Sequence, residues 1–271
     1  MRRAFKRSNP VKRTVLRGLL CSVAFVAFAG YFFRASSDPC WSLPPNRANG
    51  RVPKIIHQQW ATANMPVQQR AWRFRWLELF PSWEYQHVLW TDESQRELVK
   101  RDYPSFLATY DSYQTSIRRA DAARVFILHR YGGVYADLDY EPLQNFWVHL
   151  PDDAPALVES RFAWNERVQN SLMSSPVGHP FWNTVVHVMM ERSELEDTLD
   201  ATGPRALDEA RRRYPGLVHE LPCAAFQRPP PAHAGSWQRL MVVIGNQRDC
   251  GRYDDSRCLF ARHHQTNIWL E

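Results

Sequence analysis

The chain has 271 residues, is 44% hydrophobic and carries a formal net charge of +6, which is enough for one sizeable core plus an appendage. The charge invites a nucleic-acid partner, and its distribution removes that reading. Residues 1–34 hold eight basic groups (Arg2, Arg3, Lys6, Arg7, Lys12, Arg13, Arg17, Arg34) and no acid, so residues 35–271 sum to +6 − 8 = −2. The basicity belongs to the tail, and no nucleic-acid partner is expected.

Between Arg17 and Arg34 lies an uncharged run, Gly18–Phe33. A membrane span normally wants about 20 apolar residues; snorkelling arginines at both ends and a thin bilayer close the gap. The basic residues before the run should stay cytoplasmic and place the C-terminal domain in the lumen. The predicted organisation is a basic cytoplasmic tail (1–17), a signal-anchor helix (18–34), a Pro-, Ser- and Asn-rich stem (35–51) and one domain (52–271) in a Golgi or other secretory-pathway membrane, single-pass type II. A cleaved signal peptide is the alternative, with Ala27-Phe28-Ala29 as its cleavage site; the long basic region and Arg34 favour the anchor. Beyond Cys21, the four cysteines Cys40, Cys223, Cys250 and Cys258 allow disulfides in an oxidising compartment. Cys250–Cys258 would close a short loop, and free buried thiols stay open for Cys40 and Cys223. No Asn-x-Ser/Thr sequon is present.

In the domain, Lys54–Ile56 begins a buried strand and Arg70–Phe80 reads as an amphipathic helix. Glu84–Trp90 is a second strand and Glu93–Arg101 a helix capped by Thr91 or Asp92. A helix over Arg119–Tyr131 comes next, stopped by Gly132-Gly133, and then a short strand Val134–Ala136. Tyr140–Leu150 is predicted as a turn and short helix, Ala156–Ser160 as a strand, Asn170–Pro180 as loop and Phe181–Arg192 as a helix. Thr202-Gly203-Pro204 opens another helix, and its amides are also capable of holding a phosphate. Gln227–Ser236 is expected to be an exposed loop. Strands alternating with helices predict an α/β sandwich with a largely parallel sheet, whose sites lie beyond the strands' carboxyl ends.

The stretch RADAARVFILHRYGGVYADLD (119–139) carries the chemistry. If the chain stays extended past Ala136, Asp137 and Asp139 share one side and Leu138 turns into the core. Such a spacing can straddle one hard cation. On the helix, Asp121 and Arg124 are neighbours, and a half-buried pair is expected. Each feature alone has a plain reading: a D-x-D triplet arises by chance about once in a chain this long, and most Asp–Arg pairs at helical spacing are surface ion pairs. Their order and spacing favour a site for a polyhydroxy, phosphorylated ligand.

This stretch resembles the D-x-D sugar-binding region of glycosyltransferase family 32, and within it the fungal inositol phosphoceramide mannosyltransferases. The likeness extends to VPKIIHQQW (52–60), WTDE (90–93), NSLMSSPVGHPFW (170–182), TGP (202–204) and HHQTNIW (263–269). It implies a GT-A fold and a metal-dependent, retaining transfer of a hexose from a nucleotide sugar, with GDP-mannose favoured and UDP-sugars as rivals. The acceptor would be a glycolipid such as inositol phosphoceramide, or else a protein-linked glycan. By resemblance, Mn²⁺ or Mg²⁺ would be held by Asp139 and Asp137 with His264 and Asn267. The donor would meet Ile56, His57, Trp60, Asp121, Arg124, Asp137 and Asn170, with Asp137, Asp139, Asp121 and Arg124 forming the catalytic set. Core packing serves Trp60 equally well, and a turn role Asn170. The C-terminal segment departs from the family's pattern, with Ile268 and Asn267 in place of Ser and Gly. A metal-dependent phosphatase is disfavoured by Tyr140-Glu141 after the acids, and an inert membrane-tethered sugar-binding protein by the intact D-x-D.

Overall fold

The computed structural model describes residues 52–160, 166–227 and 260–264. Strands and helices alternate as predicted through β1 (Ile55–Gln59), α1 (Val67–Leu79), β2 (Gln86–Trp90), α2 (Asp92–Asp102), α3 (Leu107–Ser112), α4 (Ser116–Tyr131) and β3 (Gly133–Ala136). Then come β4 (Tyr140–Pro142), β5 (Ala156–Glu159), β6 (Val168–Ser175), α5 (Phe181–Glu191), α6 (Thr198–Ala201), α7 (Pro204–Arg213), β7 (His219–Leu221), α8 (Cys223–Phe226) and β8 (Ala261–His263). Thr91 caps α2 in a reciprocal box: its Oγ1 accepts the Ser94 N–H at 3.3 Å, and Ser94 Oγ accepts the Thr91 N–H at 2.8 Å.

The six-stranded sheet has the order β2-β1-β3-β6-β5-β7. Three of its five pairings are parallel; β6 runs antiparallel to both neighbours. This strand corrects the loop expected over Asn170–Pro180. VQNSLMSS lacks the branched alternation of a typical strand, yet Ser174 and Ser175 are wholly buried. Their small side chains fit the crowded centre of the sheet, and Ser175 Oγ accepts the Trp182 indole N–H at 2.8 Å. A separate two-stranded ribbon pairs β4 with β8, where the sequence predicts a turn and short helix; only Trp147–His149 forms a helical turn, of the 3₁₀ kind.

Core side chains fill both faces of the sheet. On the α4 side lie Trp90, Leu98, Val99, Phe126, Tyr135 and Trp182. On the α1 side lie Ile56, Trp76, Phe80, Val134 and Phe146. The α4-to-β3 turn uses Gly132 (φ 64°) and Gly133 (φ 87°). At Gly133 a Cβ would come within 2.4 Å of the Ile55 carbonyl oxygen, whereas at Gly178 (φ 66°) it would meet nothing within 4 Å. Gly133→Ala is therefore expected to cost roughly 3 kcal/mol or more, against about 1 kcal/mol for Gly178→Ala. Equal losses in chemical denaturation would show that the close approach of β1 and β3 is not what requires the glycine.

His87 supplies a pH test of the core. Its Nε2–H donates to the Phe80 carbonyl at 2.6 Å, while burial, aided by the Arg73 charge and opposed by that bond, lowers its pKa to about 4. Above the ordinary value of 6.5 the ring is neutral in both states; below it the unfolded ring binds a proton that the folded ring refuses until about pH 4. Stability is lost as pH falls through this window. Relative to His87→Gln, which keeps an N–H donor, wild type should lose roughly 2 kcal/mol between about pH 7 and pH 4. Parallel urea-stability profiles for the two proteins would contradict this.

Among the described residues no helix is long and apolar enough to cross a membrane; the expected anchor (18–34), its tail and the stem lie outside them, as does the loop expected after Gln227. Cys223 is disulfide-bonded, which removes the free-thiol alternative there. Cys40, Cys250 and Cys258 lie outside the described residues.

Candidate active site

The extended geometry expected for the acids is corrected by a turn. β3 ends at Ala136, and the Tyr140 N–H donates to the Asp137 carbonyl at 3.0 Å. The chain folds back to start β4, and the ribbon partner β8 then brings a histidine to the acids. One ligand atom each from Asp137, Asp139 and His263 lies within 4.8 Å of the others. Leu138 is buried, as expected.

Behind this rim stands a buried polar network. Arg124 Nη2 pairs with Asp121 Oδ1 at 3.0 Å and Nη1 with Asp137 Oδ1 at 3.2 Å. Nη1 also donates to the Asn170 carbonyl at 2.8 Å, and the Asn170 amide donates to Asp121 Oδ1 at 3.0 Å. The Tyr135 hydroxyl donates to Asp137 Oδ1 at 2.6 Å, and the Arg124 guanidinium lies 4.7 Å from the centre of its ring. Thr202, from the Thr-Gly-Pro opening of α7, also hydrogen-bonds Asp121.

Exposure sorts these groups. The Asp121 and Arg124 side chains are only 7% and 4% exposed, far more buried than the half-buried pair expected, whereas Asp137 keeps 29%. Burial pushes Asp121 up to about 6 against the pull of Arg124, with the Asp137 charge adding to the rise. Asp137 is also raised, by burial first, with Arg124 opposing and Asp139 reinforcing the shift. Burial works against the Arg124 charge, but Asp137, Tyr135 and Asp121 outweigh it, so the guanidinium stays protonated. Three carboxylates (Asp121, Asp137, Asp139) against one guanidinium give −3 + 1 = −2. Such a cluster is short of positive charge.

Strand parity decides which histidine completes the rim. In the β4–β8 register Tyr140 pairs with His263 and Glu141 with Arg262. His263 therefore shares the Tyr140 side: its ring stacks on Tyr140 at 4.4 Å and its Nε2 stands 3.3 Å from Asp139 Oδ1. His264, the histidine expected at the metal, faces the other way. Its ring stacks on Trp72 at 4.3 Å and its Nε2 is bonded to Glu141 Oε2 at 3.0 Å. Asn267 lies outside the described residues.

Two residues expected at the donor are core residues. The Ile56 side chain is wholly buried among the α1-side apolar groups. His57, on the opposite face of β1, is also wholly buried. Its Nε2–H donates to the Gly132 carbonyl at 3.0 Å and its Nδ1 accepts the Trp90 indole N–H at 3.1 Å. Burial lowers its pKa to about 3, so it stays neutral and holds the α4-to-β3 turn. Trp60, one step past β1, is half-buried. Tyr135, Thr202 and His263 are additions to the predicted set, although all three sit in motifs that the sequence singles out.

Residues 66–162, which contain the Asp137-Leu138-Asp139 turn, match the family described as the glycosyltransferase sugar-binding region containing a DXD motif. The chain carries the pattern of that sugar-binding region over these residues. Over 234 residues the DXD chain is 42% identical to inositol phosphoceramide mannosyltransferase 3 of Schizosaccharomyces pombe, covering 80% of this chain and 56% of that protein. Two mannosyl phosphorylinositol ceramide synthases of Saccharomyces cerevisiae are 40% identical over 137 residues (48% of this chain, 33% of theirs) and 37% identical over 190 residues (63% and 47%). The DXD chain thus spans between a third and somewhat over half of the length of these relatives.

Proposed function

We propose that the chain is a divalent-metal-dependent glycosyltransferase of GT-A type that moves mannose from GDP-mannose to a hydroxyl of an inositol phosphoceramide acceptor, at a secretory-pathway membrane. The observation that carries the reading is the meeting of Asp137, Asp139 and His263 at the rim of the sheet, in front of the Asp121–Arg124 pair. The relatives' names supply the sugar and the lipid. A transfer of this class needs a group that takes up charge on a diphosphate as the glycosidic bond breaks.

The residues suit a hard or borderline divalent cation. The two carboxylates suit Mn²⁺ or Mg²⁺, and the imidazole favours the more borderline Mn²⁺ of the two, in a cluster whose charge is −2 without it. His263 turns its Nε2 toward the acids, 3.3 Å from Asp139 Oδ1, so a ring nitrogen faces the place where the ion would sit. Asp137, Asp139 and His263 would hold the ion, which when bound supplies positive charge against the leaving diphosphate. The other residues work behind it. Arg124 fixes the Asp137 carboxylate, Tyr135 holds its second hydrogen bond, and Asp121, anchored by Asn170 and Thr202, fixes Arg124. Asp121 and Arg124 thereby act as positioning groups whose inward partners are already made, rather than as first contacts of the sugar. No protein general base is assigned, in keeping with a retaining transfer.

The test is mannose transfer from GDP-mannose to inositol phosphoceramide in detergent, with Mn²⁺ and with chelator. Product formation that requires the cation is expected. Transfer unaffected by chelation, or no stabilisation by any GDP- or UDP-sugar in a thermal-shift screen, would overturn the reading.

A further inference from the structure

Four of the seven exposed large apolar side chains among the described residues belong to α1 or to the segments beside its C-terminal end. On α1, Val67 is 73% exposed and Phe74 49%; Trp83 and Val148 reach 84% and 87%. Val67 and Phe74 stand seven residues apart, two helical turns, and so share one face of α1. Trp83 comes just after the C-terminal end of that helix. Val148 belongs to the 3₁₀ turn packed beside the same end: Asn145 Nδ2 donates to the Leu79 carbonyl at 3.2 Å and to the Tyr85 hydroxyl at 3.1 Å, and the Tyr85 and Trp147 rings meet at 5.0 Å. A tryptophan and a valine this exposed, joined by buried aromatics, are a costly surface to leave in water.

Charge and connectivity indicate what covers it. Lys54 is paired with Glu84 and Arg75 with Glu78, and exposed Arg70 adds a positive charge, so the flank has no acidic excess to repel a lipid surface. The Lys54–Glu84 pair ties the start of β1 to the Trp83 loop, so the chain enters the described region at this same end. The 51 residues before Val52 include the uncharged run Gly18–Phe33. Beside Val148 opens a pocket of about 380 Å³, where Leu150, Leu221 and Phe260 share the lining with His149, His219 and Glu220.

We propose that this flank, with Val67 and Phe74 on α1 and Trp83 and Val148 at its end, is a docking face for a phospholipid bilayer. Tryptophan is the side chain best suited to the interface, with an apolar body and a polar N–H. The inference does not use the proposed reaction, so failure of sugar transfer leaves it standing.

The full chain reconstituted into phosphatidylcholine vesicles tests it. The fluorescence difference between wild type and Trp83→Phe isolates Trp83, an exposed position where the change leaves the fold intact. In vesicles with brominated acyl chains that difference should fall by at least about half, because interfacial indoles reach the acyl boundary. The combined change Phe74→Ser with Val148→Ser should restore it. A Trp83 signal that brominated lipid leaves unchanged while aqueous iodide quenches it would overturn the proposal. So would shielding that follows protein concentration in detergent, which would make the face a self-association surface.

Discussion

Asp139→Asn is expected to lower sugar transfer by roughly three orders of magnitude, the scale on which losing a charge-stabilising group acts, with little change in thermal stability. The substitution changes one of the three groups proposed to hold the cation and removes half of the carboxylate pair. The fold should change little, because Asn keeps the shape of the side chain that faces His263 Nε2 at 3.3 Å and the backbone carbonyl still accepts the His264 N–H at 2.9 Å. Loss of its charge also relieves Asp137, which Asp139 helps to push up. Steady-state kinetics with a melting curve checks both halves. An active, cation-dependent Asp139→Asn enzyme would refute the role.

Arg124→Met should act the other way, on stability first. Among the described residues its guanidinium is the one positive partner in contact with both Asp121 and Asp137. Removing it strands Asp121 as a buried carboxylate whose remaining partners are neutral, Asn170 and Thr202. Breaking a buried pair on one side typically costs about 3–5 kcal/mol, which for a domain of this size is a fall of roughly 10 °C in melting temperature. Arg124→Met combined with Asp121→Asn should recover a large part of the loss, since the two residues are coupled. A single variant within about 1 kcal/mol of wild type would show that the pair is not the anchor of the site.

Much of this arrangement is legible in the chain. The Gly132-Gly133 stop, the strand after it and the Asp–Arg spacing on α4 are local features, governed by backbone sterics and helical periodicity. The rest depends on contacts distant in sequence. The serine-rich β6 reads as a loop because small buried residues carry no strand signature of their own; its place is set by β3 and β5 on either side. The resemblance favours His264, which keeps the family's spacing to Trp269, and a pair of adjacent histidines shows no face until its partner strand is known. The β4 register supplies that face, and on it His263 is the histidine that stands beside Asp139. The resemblance places His57 at the donor, because in the family this strand end lies beside the nucleotide. The true partners of His57, Gly132 and Trp90, become visible only when β1 lies between β2 and β3.

Catalysis as proposed rests on Asp137, Asp139 and His263 forming one divalent-cation site. Mn²⁺ binding, followed by electron paramagnetic resonance in wild type, His263→Ala and His264→Ala, decides whether they do. One bound ion is predicted for wild type and His264→Ala, with affinity falling by at least about tenfold in His263→Ala, the scale of a lost ligand or ligand-orienting group. Undiminished binding in His263→Ala, together with its loss in His264→Ala, would contradict this site.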